Sequence, residues 1–441
     1  MAGDGSMNIL NNKYRAVTDA LFYICLTVFV SAALIRDCET SFWTSVLLNP
    51  VISEVIIIVD VVLLPLLALY ELIFGMKGEK IQRCIIVFVT LLTAIVQIKG
   101  DMTALMGTGG ILKAFLYPGT MERGLWIYSN AHMFRLGLVF LVTAANGKDF
   151  NKIAKVYLIS QTALMVLVTA LSLTGVIPDL VYEVPGRAGR HSLGMHYPLN
   201  YISHWFSIAL VYCFIKKGIL KVWDYALLVA LTAVSALVCK AQTATVLLVV
   251  LIAGTFIRQF RLSRGKTTDA PRLKYLLQYS FQIFAVLTIV FSMLYVPPVS
   301  TFFGSFPRLN TFFSRFAFGR VGLLTYFPTH FGTDYPISTW TDTVANEDYF
   351  FIDSSYITEL IHCGVLLYPV MMGLLWYITN KLYLNKNGYG LMLLALFACT
   401  CTMEYHLAEV SFNIFWLLIL ADIGGQPTEV TALSSPSKST S

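Results

Sequence analysis

The sequence predicts an all-α polytopic integral membrane protein with about twelve transmembrane helices, and three observations predict it. Apolar residues make up 57% of the 441 and charged residues only 13%, with a mean hydropathy of +0.70. Water-soluble globules sit nearer a half and a quarter. The apolar runs are long enough to cross a hydrocarbon layer roughly 30 Å thick as helices, which takes about 20 residues. Strand-like alternation is absent, so a transmembrane barrel is not expected.

The elements follow in order. Residues 1–15 form a cytoplasmic N-terminus. Met1 to Ser6 is polar and the first apolar run has no small-residue cleavage motif, so no signal peptide is expected. A single transmembrane domain then covers 16–423. Its spans are 16–35, 46–74, 81–98, 125–145, 153–177, 199–215, 223–239, 241–257, 275–296, 355–378, 389–404 and 409–423. The sixth starts near Pro198, a residue suited to the first turn of a helix. The seventh and eighth form one apolar stretch broken by Lys240-Ala-Gln242-Thr243-Ala-Thr245, read as a tight polar turn between two short helices. The tail from Gly424 is rich in Ser, Thr and Pro and reads as disordered. No internal repeat appears, which argues against most secondary-transporter folds. Most of the eight cysteines fall inside apolar runs and read as small core residues, with neither disulfide nor zinc spacing.

Basic residues accumulate on cytoplasmic loops. One alternating set carries Lys13, Arg15, Lys77, Lys80, Arg83, Lys148, Lys152, Lys155, Lys216, Lys217, Lys221, the 258–274 loop, Lys381, Lys386 and Lys438. That set faces the cytoplasm together with both termini. The other set faces outward and contains two long segments, about 178–198 and about 297–354. Loops of such length usually exist for function. The second is rich in aromatics around FFGSFPRLNTFFSRFAFG, which predicts short interfacial helices.

Orientation bias does not explain Arg187, Arg190, Arg315 and Arg320 on the outer side. A guanidinium offers paired donors to phosphate or carboxylate oxygens and stays charged at any relevant pH. Two readings stand, an anionic ligand outside or contact with lipid headgroups. On the sixth span Asn200, His204 and Ser207 recur on one stripe, with Ser203 beside them and His196 just before the helix. Such a stripe faces a protein interior or a wet cavity, or serves helix-to-helix hydrogen bonding. Among outer carboxylates, Asp353, Glu359 and Glu409 sit at or within the start of apolar helices, and Glu404 lies near the last spans. Buried carboxylates need partners and are functional candidates, although Glu359 could simply pair with a neighbouring helix. A metal centre is a poor fit: His196 and His204 have no carboxylate at ligand spacing, and neither DxD nor HExxH occurs. The basic 258–274 loop lacks aromatic interleaving, so membrane lipid headgroups rather than nucleic acid are its expected partner.

Four features together resemble the Wzy-type polymerases of O-antigen and capsular polysaccharide, relatives of the O-antigen ligases. An Arg187-x-x-Arg190-x-x-x-Gly run leads to His196, Pro198 and Asn200, similar to that family's R…G-F-x-H-P-N passage before a span. Phe318-Gly319-Arg320 followed by Phe331-Gly332 is similar to its GR…FG loop. Asp353-Ser354-Ser355-Tyr356…Gly364 is similar to its D-N-x-Y…G start of the next helix. Glu409 with Asn413 is similar to its E…N last-span pattern. The likeness covers roughly 148–423 in order and spacing. It departs in three places. The H-P-N is spread over His196 to Asn200, leaving His196 or Tyr197 in the His place; Ala241-Gln242-Thr243 lacks the arginine of Ser-Arg-Thr; and the ligases commonly carry a His where Asp353 stands.

The resemblance implies a metal-independent inverting glycosyltransferase of the glycosyltransferase-C type in the bacterial cell membrane, needing no cofactor. It would move a glycan from undecaprenyl diphosphate onto another lipid-linked repeat unit at the outer face, with a flippase and a chain-length regulator as implied partners. Arg187, Arg190 and Arg320 would stabilise the departing diphosphate. Asp353 would be the base, with His196 as its rival. Arg315, Asn200, Tyr356 and Glu409 complete the expected substrate contacts. Tyr326, Phe327 and Trp340 either stack on sugar rings or pack at the membrane interface. A ligase using another acceptor, and a lipid-linked oligosaccharide flippase, are the alternative readings.

Overall fold

The computed structural model describes residues 4–47, 49–75, 83–84, 87–88, 91, 131–183, 189–265, 271–306, 313–326, 329–330, 332 and 352–423. These are mostly helical. Helix α1 (Asp4–Arg36) is followed by the short α2 (Thr40–Leu47) and by α3 (Pro50–Ile57), which Asn49 caps by accepting from the Val51 and Ile52 amides. A wide-turn π segment (Ile58–Leu63), α4 (Leu64–Tyr70) and a second π segment (Glu71–Gly75) continue the same span around Pro65, which has no N–H to donate. Then come α5 (Ala131–Ala144) and α6 (Phe150–Leu173), whose first turn is capped by the Asp149 carboxylate. A hairpin of β1 (Val181–Tyr182) and β2 (Arg190–His191) pairs Val181 with His191 and Tyr182 with Arg190. Helix α7 (Pro198–Ile215) opens at Pro198, as the sequence predicts. It is followed by α8 (Val222–Leu237), α9 (Gln242–Ser263), and α10 (Pro271–Gln278) with α11 (Ser280–Leu294), bent by 63° where they meet. The 297–354 segment carries the short helices α12 (Val299–Gly304) and α13 (Arg315–Thr325). Helices α14 (Ser355–Leu384) and α15 (Gly388–Thr400) complete the bundle.

Six described helices are long and apolar enough to cross a membrane: Arg15–Arg36, Pro50–Gly75, Phe150–Leu173, Pro198–Ile215, Gln242–Ser263 and Ser355–Leu384; the bent α10–α11 pair makes a seventh if taken as one span. Helices α8 and α15 are apolar but shorter. The expected span 81–98 falls almost wholly outside the described residues, as do residues 92–130 before α5 and the tail from Gly424. The expected turn at Lys240 lies at 238–241, with Gln242, Thr243 and Thr245 already inside α9.

The last expected span, 409–423, is not an α-helix. Turns lead into a short 3₁₀ helix (Ile414–Ile419), and almost every residue from Val410 to Ala421 is buried. Irregular backbone survives among apolar surroundings only where protein groups satisfy it, and here they do. Tyr157 donates to the Ser411 carbonyl, and Asn413 and Trp416 both donate to the Leu407 carbonyl. Lys381 Nζ donates to the carbonyls of Leu418 and Ala421. Apolarity alone cannot distinguish such a packed irregular strand of chain from a helix.

Two ends of the bundle differ in character. At one, Lys148 bridges Asp19 and Glu71, Lys381 reaches the 418–421 carbonyls, and the Arg258 guanidinium lies over the Tyr389 ring. At the other end meet the C-terminus of α1, the β1–β2 hairpin, the N-termini of α7 and α14, and the 401–413 turns that follow α15.

Candidate functional site

The second end gathers an unusual density of charge. Arg36, the last residue of α1, donates to Glu409 Oε1 at 3.0 Å, and Glu409 Oε2 lies 2.9 Å from His406 Nδ1. Asp37, in the next turn, lies 3.1 Å from Nε2 of the fully buried His204 on α7. The Phe412 ring is sandwiched between the two imidazoles, its centroid 3.9 Å from His204 and 3.6 Å from His406, with interplanar angles of 24° and 16°. Burial alone would raise the Asp37 carboxyl, but the His204 hydrogen bond and the Arg36 charge hold it below the usual range. Burial would likewise lower His406, yet its bond to Glu409 raises it.

Beside this network lies a second group. Arg315, at the start of α13, donates to the Met403 carbonyl at 3.0 Å and places Nε 3.2 Å from Asp353 Oδ2. Ser355, one residue past the α14 cap, donates to the Glu404 carbonyl and accepts the His406 and Leu407 amides, so α14 fixes the course of 404–407. Glu404 itself is 5% exposed, and its Oε1 has no hydrogen-bond partner among the described residues. Its carboxyl is pushed up to about 7 by burial, with Arg315 and His406 pulling down, Asp353 pushing up and Arg190 pulling down.

Arg190 comes from β2. The hairpin is pinned by Asp179, which accepts the Leu193 amide at 2.8 Å and lies 2.6 Å from His191 Nδ1. Arg190 is 1% exposed, donates through Nε to the Cys239 carbonyl at 3.2 Å and through Nη1 to the Tyr197 hydroxyl at 3.0 Å. Its Nη2 has no partner among the described residues. A buried unpartnered donor on an ion costs about 1–3 kcal/mol, so this group is set to receive an acceptor oxygen. Arg190 and Arg315 therefore both act electrostatically on one buried carboxyl from two separate segments of the chain.

Against family models, curated protein sequences and solved structures, the chain matches none.

The remaining expected site residues are distributed as follows. Arg187 lies outside the described residues. His196 is half-buried; its amide donates to the Asp37 carbonyl at 2.9 Å and Nδ1 lies 3.4 Å from Thr40 Oγ1, while burial lowers its imidazole below the ordinary value. Asn200 is half-buried on the first turn of α7. Arg320 leaves α13 about 140° around the helix from Arg315, with its Nε buried and without a hydrogen-bond partner among the described residues. The two arginines therefore do not share one face. Tyr356 is a core residue: it is fully buried and its hydroxyl donates to the Ala398 carbonyl at 2.8 Å. Ser203 and Ser207 are buried in α7, and Glu359 is buried one turn beyond Ser355, accepting from Cys363 Sγ at 3.8 Å.

Asp37, His406 and Phe412 join the cluster without having been singled out in the sequence. A signal for two of them existed: E404-Y-H406-L-A-E409 puts three ionisable residues inside an apolar stretch, and R36-D37-C-E39 does the same at the end of the first span.

Proposed function

We propose that this protein is a membrane glycosyltransferase that polymerises lipid-linked oligosaccharide repeat units, moving a glycan from undecaprenyl diphosphate to the sugar of another repeat at the membrane face where the arginine cluster lies. The observation that carries this reading is that Arg190, Arg315 and Asp353 all act electrostatically on the buried Glu404, with Arg315 paired to Asp353 at 3.2 Å. As the anomeric bond breaks, negative charge builds on the leaving diphosphate, and fixed guanidiniums in a water-poor site stabilise it without reorganising. The attacking hydroxyl needs a carboxylate or imidazole within reach, and the same end of the bundle holds several. The basic residues of the other end favour a cytoplasmic location for it and an outer location for the site.

The test is chain extension of a purified lipid-diphosphate-linked repeat by the reconstituted protein. A product ladder that persists in a chelator is expected, and Arg190→Ala should slow extension about 10²-fold or more, the loss typical of removing one charge-stabilising donor. Wild-type rates in Arg190→Ala would overturn the assignment. Transfer to a different acceptor only would make the protein a ligase, and transbilayer movement of the repeat without transfer would make it a flippase.

A further inference from the structure

We propose that Glu404 is the proton acceptor of the transfer reaction, its free carboxylate oxygen taking the hydroxyl proton of the acceptor sugar as that sugar's oxygen attacks the anomeric carbon. The inference rests on the glycosyl-transfer reading and goes beyond it by replacing Asp353 and His196 in that role.

Three observations carry it. Glu404 is nine-tenths buried and more, yet Oε1 has no hydrogen-bond partner among the described residues. Buried carboxyl oxygens are normally satisfied, so one left open at a charged site is placed for a ligand donor. Second, its position is held from outside: Ser355 on α14 donates to the Glu404 carbonyl, the Ser355 amide reaches the carbonyls of Cys401 and Glu404, and the Glu404 amide donates to Thr400. Third, the charges facing it are those the leaving group needs, Arg315 from α13 and Arg190 from the hairpin, with His406 on its own segment, Asp353 ahead of α14, and the Cys401 thiol at the end of α15.

The rivals are worse placed. The Asp353 carboxylate already holds Arg315 Nε at 3.2 Å, so one of its oxygens is occupied by a donor. The His196 Nδ1 faces Thr40. Burial, conversely, keeps Glu404 near the pH at which a carboxyl both accepts and releases protons efficiently.

The step balances without a further reactant. The acceptor oxygen forms a bond to the anomeric carbon with inversion, and the bond from that carbon to the diphosphate oxygen breaks with its electron pair on the diphosphate. The hydroxyl proton passes to Glu404 Oε1 and later to water.

The experiment is the pH profile of chain extension, measured with the reconstituted full chain and a lipid-diphosphate-linked repeat, for wild type, Glu404→Gln, Glu404→Asp and Asp353→Asn. Wild-type kcat/KM should fall on the acid side of about 7. Glu404→Gln should lose about 10²- to 10⁴-fold in kcat, with KM for the lipid-linked donor little changed and the acid limb gone. Glu404→Asp and Asp353→Asn should keep that limb at reduced rate. A Glu404→Gln enzyme that retains the wild-type limb or rate overturns the assignment. Should that variant fail to fold, a limb that moves to the ordinary carboxylate range in wild type, or vanishes in Asp353→Asn, overturns it equally. Absence of any extension by the wild type would instead overturn the glycosyl-transfer reading itself.

Discussion

Phe412 shows how one apolar ring organises four ionisable side chains. Lying flat between His204 and His406, it keeps the two imidazoles apart and parallel, so each turns an edge to its own carboxylate, Asp37 or Glu409. No spacing rule brings residues 37, 204, 406 and 412 together, and Phe412 does not stand out in the sequence. Arg190, by contrast, was recognisable from its location between two spans, while its burial and open Nη2 were not. Tyr356 illustrates the opposite case. It occupies a site-like position in the D-x-x-Y pattern, yet its hydroxyl is engaged by the Ala398 carbonyl. Tyr356→Phe is therefore expected to retain chain extension while losing about 1 kcal/mol of stability, the worth of one buried hydrogen bond, read as a lowered thermal midpoint in detergent. Abolished activity with unchanged stability would return Tyr356 to the site.

Helix α14 is interrupted at Gly364, where φ is +72° and ψ is 175°. The amides of Val365 and Leu366 turn from the helix to the carbonyls of Thr329 and His330 at 3.1 and 3.2 Å. The backbones approach so closely that a Cβ on Gly364 would lie 2.2 Å from the Gly332 nitrogen, and one on Gly332 would lie 1.8 Å from the His362 carbonyl oxygen. Only glycine permits both the left-handed φ and this contact. Gly364→Ala should cost about 1–3 kcal/mol for the conformation alone and more for the clash. Hydrogen exchange should show early loss of protection at Val365 and Leu366, and protection unchanged from wild type would contradict the contact. Gly332 and Gly364 were visible as parts of motifs, but their pairing required the folded chain. The same holds for the 409–423 segment, whose composition reads as a span and whose backbone is satisfied by side chains from α6 and α14.

Across the molecule, the charged end that holds Glu404 and His406 sets the direction of the pH dependence. Glu404 is raised to about 7 from an ordinary 4.5, and His406 is raised above its ordinary 6.5. Each favours its protonated form in the folded state, so its stabilising contribution is present below its unfolded value and is lost as pH rises through its folded value. Both slope the same way, and Asp37, held low, acts only on the acid side of the ordinary carboxylate range. Thermal stability in detergent should decline between about pH 5 and pH 8, and Glu404→Gln should flatten that decline; a flat wild-type profile would contradict the burial of both groups.

Membrane residence, the helical class and most helix starts were dictated by composition and local chemistry, because apolar length, Pro198 at a first turn and Asp149 at a cap act within a few residues of chain. Which ionisable groups meet, which carboxyl stays unpartnered and which apolar run abandons the helix were set by packing. Those outcomes depend on contacts between residues as distant as Arg36 and Glu409, and no local pattern encodes them.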